Sequence, residues 1–375
     1  MKILFIDQIS TVNYKYSFSI IERLSAKNDI IFVSDEKKYE GEGIISYEYF
    51  KGTTSKEISK FKKAIIYIKA WKKIFELCKV NKIDIIHVQW FILSPVDSYF
   101  IKKIKKIGVK IVVTVHDILP FNEKFYDYKS HKEIYTFADK IIVQAKPNID
   151  RINSIFSNVS KKVLYIPHGN FIDHAQIISK EDARNLLGID RNKKVLLFFG
   201  QIKRVKGLDV LIKAFNEIIK SKEGENILLV IAGKVWEDDF SVYEQLINEV
   251  DNSKFRCDIK YIPDDQIAWY YCSADINILP YREVYQSGVV HLSYAYEKPV
   301  IATNIGSFPE VIIDKETGLL VEKDNYNELK DAILSLIHDD KIMKKMGIDG
   351  KRYIRNNFSW DVITDEIENI YYNLK

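Results

Sequence analysis

The sequence predicts an α/β protein built from two doubly wound parallel sheets. Short, continuously apolar and β-branched runs alternate with stretches of helical spacing in the first half of the chain, and the same alternation restarts after residue 190. Strands that are apolar on both sides are typical of parallel sheets covered by helices on both faces. The length of 375 residues is also that of two domains rather than one.

The first half opens with an apolar run between Lys2 and Asp7 that has no polar face and therefore indicates a buried strand. The strands predicted in this half lie at 2–7, 29–34, 83–88, 109–115, 140–144 and 162–166. Helical spacing of apolar residues predicts helices at 15–26, 58–80 and 96–107.

The second half repeats the pattern. Its predicted strands lie at 194–199, 227–232, 256–261, 275–279 and 299–303, and its predicted helices at 207–221, 241–250, 264–272, 288–296 and 326–338. We place the domains at 1–172 and 173–357, followed by a terminal segment at 358–375. Because ligands of open α/β sheets bind at the carboxyl ends of the strands, we expect the active site to lie between the halves.

Several function classes are excluded by missing motifs. The first strand is followed by FIDQIST, which lacks the glycines of a dinucleotide-binding turn, and no P-loop motif occurs. Three widely spaced cysteines support neither a disulfide framework nor a zinc cluster. No apolar run is long enough for a membrane span, and the N-terminus does not have the pattern of a signal peptide. A cytoplasmic protein is therefore expected.

The charge is distributed unevenly. The formal net charge of +4 divides into +10 for residues 1–175 and −6 for the rest. Residues 51–110 alone carry 15 basic and 4 acidic side chains, which predicts an anionic partner for this region.

Motifs between residues 110 and 322 resemble those of the retaining family-4 glycosyltransferases of GT-B fold. They are VTVHDILPF (113–121), YIPHGNF (165–171), FFGQIKRVKGLDVLIKAF (198–215), LVIAGKV (229–235), YIPDDQIAWYYCSADINILPY (261–281), QSGVVHLSYAYEKPVIATNIGSFPEVI (286–312) and TGLLVE (317–322). The resemblance implies two Rossmann-like domains facing a cleft, an acceptor-binding first domain and a nucleotide-sugar-binding second domain. It also implies that the final helix, FSWDVITDEIENIYYNL, crosses back to the first domain.

Transfer from a nucleotide sugar releases a diphosphate, so the site needs cations and backbone N–H groups. The resemblance assigns Lys206 to the diphosphate, and Lys203 or Arg204 takes the place of the arginine usual at Gln201. It further implies donor contacts from Gly233, Ile262 and Glu310. Gln286, Ser287, Gly288 and Val289 open a helix whose amides and dipole form an anion site, so no metal is expected.

One departure from the family concerns two glutamates spaced eight positions apart. Their places are occupied by Val284 and Leu292, so the sequence resembles a subgroup with PYRE and QSGV motifs. Glu283 takes the sugar-contacting role in this interpretation, and His291 stands eight positions beyond it. The loss leaves the ribose contact and the retaining stereochemistry open.

His116 and Asp117 end a predicted strand at its carboxyl edge. By resemblance His116 lies beside the donor sugar and the acceptor hydroxyl. Asp117 is the candidate general base if the enzyme inverts. His168, near the hinge, is either a conformational or a chemical residue.

The basic segment 55–106 combines apolar residues at helical spacing, including Phe61, Ile65 and Ile68, with interleaved lysines. In one interpretation the apolar face packs on the sheet and the lysines are solvated. In the other, which we favour, the segment faces an anionic membrane and serves a polyprenyl-linked acceptor. Nucleic acid is disfavoured because no recognition motif accompanies the charge.

The sequence therefore predicts a hexosyltransferase that uses a UDP- or GDP-sugar to extend a glycan or lipid-linked acceptor in surface polysaccharide biosynthesis. It should be cytoplasmic and peripherally attached to the inner face of the membrane. Two alternatives stay open: an inverting transferase with Asp117 as base, and a non-catalytic subunit that binds nucleotide sugars.

Overall fold

The computed structural model describes residues 1–36, 39, 41, 43–120, 122–236, 239–286 and 288–375. The chain divides into two compact units. Unit 1 comprises Met1–Gly169 and Trp360–Lys375, and unit 2 comprises Asn170–Ser359.

Unit 1 contains a seven-stranded sheet in which every pairing is parallel. Its strands are β1 (Lys2–Asp7), β2 (Asp29–Ser34), β3 (Ile44–Tyr47), β4 (Ile85–Val88), β5 (Lys110–Val115), β6 (Lys140–Val143) and β7 (Val163–Tyr165). Its first helices are α1 (Ser10–Ser25), α2 (Lys60–Val80), α3 (Ser94–Lys106), α4 (Asp127–Phe137) and α5 (Pro147–Ile155). The strand order is β3-β2-β1-β4-β5-β6-β7.

Unit 2 contains a six-stranded parallel sheet in the order β10-β9-β8-β11-β12-β13. The strands are β8 (Lys194–Phe199), β9 (Ile227–Ala232), β10 (Phe255–Asp258), β11 (Ile276–Leu279), β12 (Val300–Thr303) and β13 (Gly318–Val321). The helices are α6 (Lys180–Leu187), α7 (Leu208–Ile219), α8 (Ser241–Asn248), α9 (Ile267–Ser273), α10 (Gly288–Ala295), α11 (Phe308–Val311), α12 (Tyr326–Ile337) and α13 (Asp340–Asn357).

The last helix, α14 (Trp360–Tyr372), belongs to unit 1. Its apolar side chains, from Trp360 to Tyr371, join the core formed by α1 and the strands β1 and β2. The Tyr371 hydroxyl contacts Nδ1 of the buried His87 at 2.5 Å, and Nε2 of the same ring contacts Thr114 Oγ1 at 2.7 Å. A polar chain therefore connects α14 to β4 and β5.

The fold class predicted from the sequence is confirmed: both sheets are parallel and doubly wound. Elements without a clear local pattern were missed, namely β3, β13, α4, α5 and α13. The four residues of β3 are all partly exposed, as expected for an edge strand, so they lack the continuous apolar run that identified the buried strands.

On α2, the apolar residues at helical spacing do not all pack on the sheet, as the interpretation with solvated lysines would require. The helix buries Tyr67, Ala70, Trp71, Ile74 and Cys78. Three of the apolar side chains in the predicted set instead face solvent, with exposed fractions of 76% for Phe61, 38% for Ile65 and 36% for Ile68. The aromatic residues Tyr67 and Trp71 determine the orientation because both donate hydrogen bonds to one buried carboxyl group, Asp97 on α3.

None of the helices in the described ranges is both long and apolar enough to cross a bilayer.

Candidate functional site

Each sheet reverses its strand order once, at a place we call its switch point. In unit 1 the switch point lies between β1 and β4, and in unit 2 it lies between β8 and β11. The loops that leave the two strands at such a place run in opposite directions, which opens a crevice at their carboxyl ends. The side chains at these two switch points are therefore the candidates for ligand binding.

Two glycines shape the unit 2 switch point. Gly200 follows β8 with φ of 120°, and Gly233 follows β9 with φ of 154°. A Cβ atom on Gly233 would lie 1.7 Å from the carbonyl oxygen of Gly200. Close packing against Gly200 therefore requires a glycine at position 233. The contact of Gly233 with the nucleotide-sugar donor stays a prediction.

The loop between β8 and α7 carries four of the predicted donor-binding side chains: Gln201, Lys203, Arg204 and Lys206. Residues Arg204–Lys206 form a single turn of 3-10 helix. The Lys206 Nζ atom lies 3.8 Å from the centroid of the buried Tyr281 ring, and the Lys203 Nζ atom lies 5.3 Å from the Trp236 ring centroid. Aromatic faces thus support two of the cations at the carboxyl edge of the sheet.

Arg282, two residues beyond Pro280, was not singled out from the sequence. Its side chain forms a two-pronged ion pair with Asp209, with both N–O distances 2.7 Å, and also donates to Asp324 at 2.6 Å. A further hydrogen bond of 3.0 Å runs from its Nη1 to the carbonyl oxygen of Arg204. Arg282 therefore connects the loop after β11 to the turn that carries Lys206.

The segment 286–289 leads into α10, which begins at Gly288. Ser287 lies outside the described residues. The Oε1 atom of Gln286 is buried and has no hydrogen-bond partner among the described residues. A side-chain carbon of Val289 lies 3.9 Å from the place of a Cβ on Gly200, so the start of α10 adjoins the turn after β8.

The remaining predicted residues of unit 2 differ in their surroundings. Glu310 is half-buried on α11, and its backbone carbonyl accepts a hydrogen bond from Tyr353. Ile262 is only 7% exposed and belongs to the apolar core with Tyr270 and Tyr271. A donor contact at Ile262 would therefore have to come from its backbone.

The glutamate positions of the family lie in apolar surroundings. Val284 is 5% exposed and belongs to the core cluster that contains Tyr281 and Phe308. Leu292 packs against the neighbouring core cluster. Glu283 is half-buried, and the His291 ring packs edge-on to Phe358 at 4.9 Å.

At the unit 1 switch point, amide side chains follow the strands directly. The backbone N–H of Trp90 donates to Gln8 Oε1 at 3.2 Å, and Gln89 Oε1 lies 3.1 Å from His116 Nε2. With Gln89 as acceptor, Nε2 carries the proton and Nδ1 is left as an acceptor. Gln144 follows β6 and is also buried.

His116 is enclosed by aromatic rings. The Trp90 ring stacks on it at 4.3 Å with an interplanar angle of 10°, and the edge of Tyr16 approaches at 5.3 Å. Burial lowers the pKa of His116 to about 3, and repulsion from His168, when that ring is protonated, adds to the effect. The imidazole is therefore neutral at physiological pH and acts as a hydrogen-bonding group rather than as a cation.

A cavity of about 130 Å³ adjoins His116. It is lined by Gln89, Trp90, Phe91, Thr114, Val115, His116, Asp117, Pro120 and His131. Three buried polar atoms of its walls have no partner among the described residues: Gln89 Nε2, Trp90 Nε1 and His116 Nδ1. Two donors and one acceptor without partners are suited to the hydroxyl groups of a ligand.

His168 and Asp7 also lie inside unit 1. His168 Nδ1 contacts the carbonyl oxygen of Gly169 at 2.6 Å, and burial lowers the pKa of this imidazole to about 4. Burial raises the pKa of Asp7 to about 7, although Ser17 donates to its carboxyl group at 2.6 Å. His168 contacts Tyr16 and Trp360, which places it in the packing between α1 and α14.

Sequence reasoning missed Arg282 and the amide side chains Gln8, Gln89 and Gln144. A usable signal existed for the amides, because each stands at or directly after the carboxyl end of a predicted strand. Arg282 had no such signal, since its partners Asp209 and Asp324 are distant in sequence.

Within the described part of the chain, no three His, Cys, Asp or Glu side chains are grouped as metal ligands.

Two family matches cover most of the chain. Residues 179–353 match the family of glycosyl transferases group 1, and residues 8–164 match the N-terminal domain of glucosyltransferase 3-like proteins. The second half of the chain is therefore similar to the group 1 glycosyltransferases. The narrower PYRE and QSGV subgroup stays a prediction.

Similar proteins include an uncharacterized glycosyltransferase of Methanocaldococcus jannaschii. It is 26% identical to this chain over 323 residues, which cover 84% of this chain and 83% of the relative. The capsular polysaccharide biosynthesis glycosyltransferase CapM of Staphylococcus aureus is 29% identical over 177 residues. That match covers 47% of this chain and 45% of CapM, so it spans less than half of either protein.

Among solved structures, the Anabaena protein HepE in complex with UDP-glucose matches this chain with a TM-score of 0.77. The superposition covers 100% of both chains at 16% sequence identity. At this identity the likeness establishes the GT-B fold.

Proposed function

We propose that this protein is a glycosyltransferase that moves a hexose from a UDP- or GDP-sugar to a glycan or lipid-linked acceptor in surface polysaccharide biosynthesis. The observation that carries the proposal is the unit 2 switch point, where Lys203, Arg204 and Lys206 share one short loop beside the start of α10. A departing nucleoside diphosphate requires this kind of positive potential. The names of CapM and of the HepE complex agree with a polysaccharide pathway and a UDP-sugar.

The reaction breaks the bond between the anomeric carbon and the diphosphate oxygen and forms a bond from that carbon to an acceptor oxygen. Negative charge gathers on the leaving diphosphate as the first bond lengthens. Lys206, held over the Tyr281 ring, would neutralise this charge, and the amides that open α10 would add their dipole. We propose that these groups serve the diphosphate without a metal ion.

The acceptor hydroxyl must lose its proton. His116 is neutral at physiological pH, so its Nδ1 atom is able to accept a hydrogen bond. In the retaining reaction implied by the family resemblance, His116 would orient a sugar hydroxyl. In the inverting alternative, the half-buried Asp117 on the wall of the same cavity would take the proton.

One observation favours a second candidate, a subunit that binds nucleotide sugars without transferring them. Val284 and Leu292 pack in apolar cores at the two positions where the family carries glutamates. If Glu283 does not replace the first of these glutamates, the donor would bind but no transfer would follow.

The lysines of α2 support a membrane partner. Phe61, Ile65 and Ile68, together with Lys62, Lys69 and Lys72, form an exposed stripe that we call the α2 surface. Apolar side chains exposed among lysines are typical of helices that lie in the headgroup region of anionic bilayers. We propose that the α2 surface brings the protein to membranes that carry lipid-linked acceptors.

The decisive experiment is a thermal-shift panel of nucleotide sugars in the presence of EDTA, followed by product analysis. A donor at 100 times its dissociation constant should stabilise the protein by about 2.7 kcal/mol. Product formation then shows whether the protein transfers the sugar to an acceptor. The anomeric configuration of the product, read by NMR, distinguishes retaining from inverting chemistry. Stabilisation without transfer would identify a binding subunit, and a strict requirement for added Mg²⁺ or Mn²⁺ would contradict the metal-free diphosphate site.

A further inference from the structure

Arg282 is tied to the turn that carries Lys206 through both its backbone and its side chain. The Arg282 N–H donates to the carbonyl oxygen of Val205 at 2.7 Å, and its Nη1 donates to the carbonyl oxygen of Arg204 at 3.0 Å. Two consecutive carbonyl groups of the turn are therefore held by one residue.

The guanidinium group is itself held rigidly. Its Nη1 and Nη2 atoms form the two-pronged pair with Asp209 on α7, and its Nε donates to Asp324. Together with the hydrogen bond to the Arg204 carbonyl oxygen, four of the five guanidinium N–H groups donate to other residues of the protein. Two carboxylates surround one guanidinium, so Arg282 is poorly suited to bind a diphosphate directly.

The turn has little freedom to compensate for a loss of these contacts. Gly207 ends it in the left-handed region, with φ of 64°. A Cβ at this position would lie 1.9 Å from the carbonyl oxygen of Pro280, so the turn packs directly on the chain leaving β11. The next residue of that chain, Tyr281, lies under the Lys206 ammonium group, and Thr303 donates to its carbonyl oxygen at 2.6 Å.

We propose that Arg282 is a positioning residue that holds the Lys206 turn in the geometry needed to bind a nucleoside diphosphate. The inference rests on the proposed function, because it takes Lys206 as the cation of the diphosphate site. Arg282 acts through the backbone of the turn: it presents Lys206 over Tyr281 and does not contact the ligand.

The test measures UDP affinity by calorimetry for the wild type, Arg282→Lys, Lys206→Ala and the double variant. Lysine keeps the charge but lacks the planar guanidinium group, so it is unable to donate hydrogen bonds to Asp209, Asp324 and the Arg204 carbonyl oxygen together. We expect Arg282→Lys to weaken UDP binding about tenfold, on the scale of one charge-assisted hydrogen bond. In the Lys206→Ala background the same change should weaken binding by less than about twofold, because the two residues act as one unit.

Arg184→Lys is the matched control. Arg184 is paired with Asp275, which precedes β11 at the opposite edge of the sheet, and it also donates to backbone carbonyl groups. This control should lower the melting temperature without changing UDP affinity. Asp209→Asn, which removes the partner of the fork, should weaken UDP binding as Arg282→Lys does.

The outcomes separate the two proposals. If Lys206→Ala binds UDP as the wild type does, both the diphosphate site and the positioning role are wrong. If Lys206→Ala weakens binding and Arg282→Lys does not, only the positioning role is wrong. Losses that add fully in the double variant would make Arg282 an independent contributor and would also overturn the inference.

Discussion

Glu283 is the residue on which the proposed contact with the donor sugar depends. Its neighbour Val284 is buried in an apolar core, so no carboxylate is available at the usual family position. Glu283 is half-buried and directly follows Arg282, whose ion pairs fix the backbone at this point. A carboxylate presented from a fixed backbone is suited to contact the sugar of the donor.

We therefore predict that Glu283→Gln lowers turnover at least about 100-fold, the scale of a lost preorganised contact, while UDP affinity changes less than about threefold. The reason is that the carboxylate meets the sugar and not the diphosphate. Steady-state kinetics and UDP calorimetry measure the two effects. Glu316→Gln, an exposed change in the loop before β13, is the matched control. Equal losses of turnover and UDP affinity would point to a structural role in the loop.

His116 illustrates how burial determines the chemistry of a residue. Because its folded pKa of about 3 lies below the ordinary value of 6.5, the unfolded chain binds the proton more readily. The stability that the neutral ring contributes is therefore present above about pH 6.5 and is lost as the pH falls toward about 3.

For activity, we predict that the transfer rate of the wild type shows no inflection from His116 between about pH 6 and about pH 8. His116→Gln keeps a neutral hydrogen-bonding side chain and should have a pH profile of the same shape. Initial rates across this range check the expectation. An acidic limb near pH 6.5 in the wild type that disappears in His116→Gln would show that the charged imidazole takes part.

At the level of elements, α2 has two faces with different tasks. Tyr67 and Trp71 on its buried face donate to Asp97 Oδ1 at 2.5 and 2.8 Å. The opposite face carries the α2 surface, with its exposed apolar residues and lysines. The buried face determines the orientation of the helix, and the exposed face is thereby available to a partner.

The α2 surface predicts binding to vesicles containing phosphatidylglycerol and no binding to neutral phosphatidylcholine vesicles. Each lysine at the surface contributes about 1 kcal/mol at physiological ionic strength and less at high salt. The triple change Phe61→Ser, Ile65→Ser and Ile68→Ser, and separately Lys62→Glu, Lys69→Glu and Lys72→Glu, should each abolish vesicle co-sedimentation. Neither should change UDP affinity.

The control for this experiment places the same charge reversals elsewhere. Lys341→Glu, Lys344→Glu and Lys345→Glu alter the basic face of α13 and should leave vesicle binding intact. If the control and the α2 variants lose binding equally, only the net charge matters and α2 has no special role.

Asp97 connects α2 to α3 and makes this packing sensitive to pH. Burial raises its pKa from 3.8 to about 8, and its Oδ2 atom has no partner among the described residues. A group with a raised folded pKa stabilises the protein below its unfolded pKa, and that stability is lost as the pH rises through the folded pKa. The relevant window therefore runs from about pH 4 to about pH 8.

We predict that Asp97→Asn removes this loss. Between about pH 5 and about pH 8.5, the free energy of unfolding of the wild type should fall relative to that of the variant. The difference should be at least about 1 kcal/mol, since one pKa unit corresponds to about 1.4 kcal/mol. Urea denaturation at the two pH values measures the difference. If the free energies of unfolding of the two proteins change equally between the two pH values, Asp97 is not protonated in the folded state.

At the scale of the whole molecule, unit 1 is completed by residues from both ends of the chain. Trp360 opens α14 and is 3% exposed, and its ring meets Tyr16 at 5.3 Å. A Cβ on Gly169 would lie 2.3 Å from the same indole, so only glycine fits there. The final helix is therefore an integral part of the unit 1 core.

Trp360→Ala should destabilise unit 1 by about 3–5 kcal/mol, the cost of removing a large buried aromatic side chain. Tyr372→Ala, on the exposed side of the same helix, should cost less than about 0.5 kcal/mol. Urea denaturation followed by near-ultraviolet circular dichroism compares the two variants. Equal stability of the two variants would show that α14 contributes little to the core.

The sequence by itself determined the fold class and selected the loops that we propose as the donor site. Continuous apolar runs such as Lys2–Asp7 identify buried parallel strands without any knowledge of their neighbours. The residues that follow β5 and β8, His116 and the loop 201–207, could be selected because strand ends and ligand sites coincide in this architecture. These features depend on the local pattern of apolar and polar residues, which can be read from a single sequence.

Only the tertiary structure decided which face of α2 is buried, that α13 is a helix, and which residue holds Lys206. Local periodicity allowed Phe61 and Ile65 to face either the sheet or a membrane, and the hydrogen bonds to Asp97 bury the opposite face of the helix. The glycines of α13 weaken a helical signal, yet a Cβ on Gly347 would lie 2.0 Å from the Glu297 carbonyl oxygen, so close packing requires a glycine there. Each of these features depends on partners distant in sequence, and the free energy of such contacts exceeds the small preferences that a local pattern records.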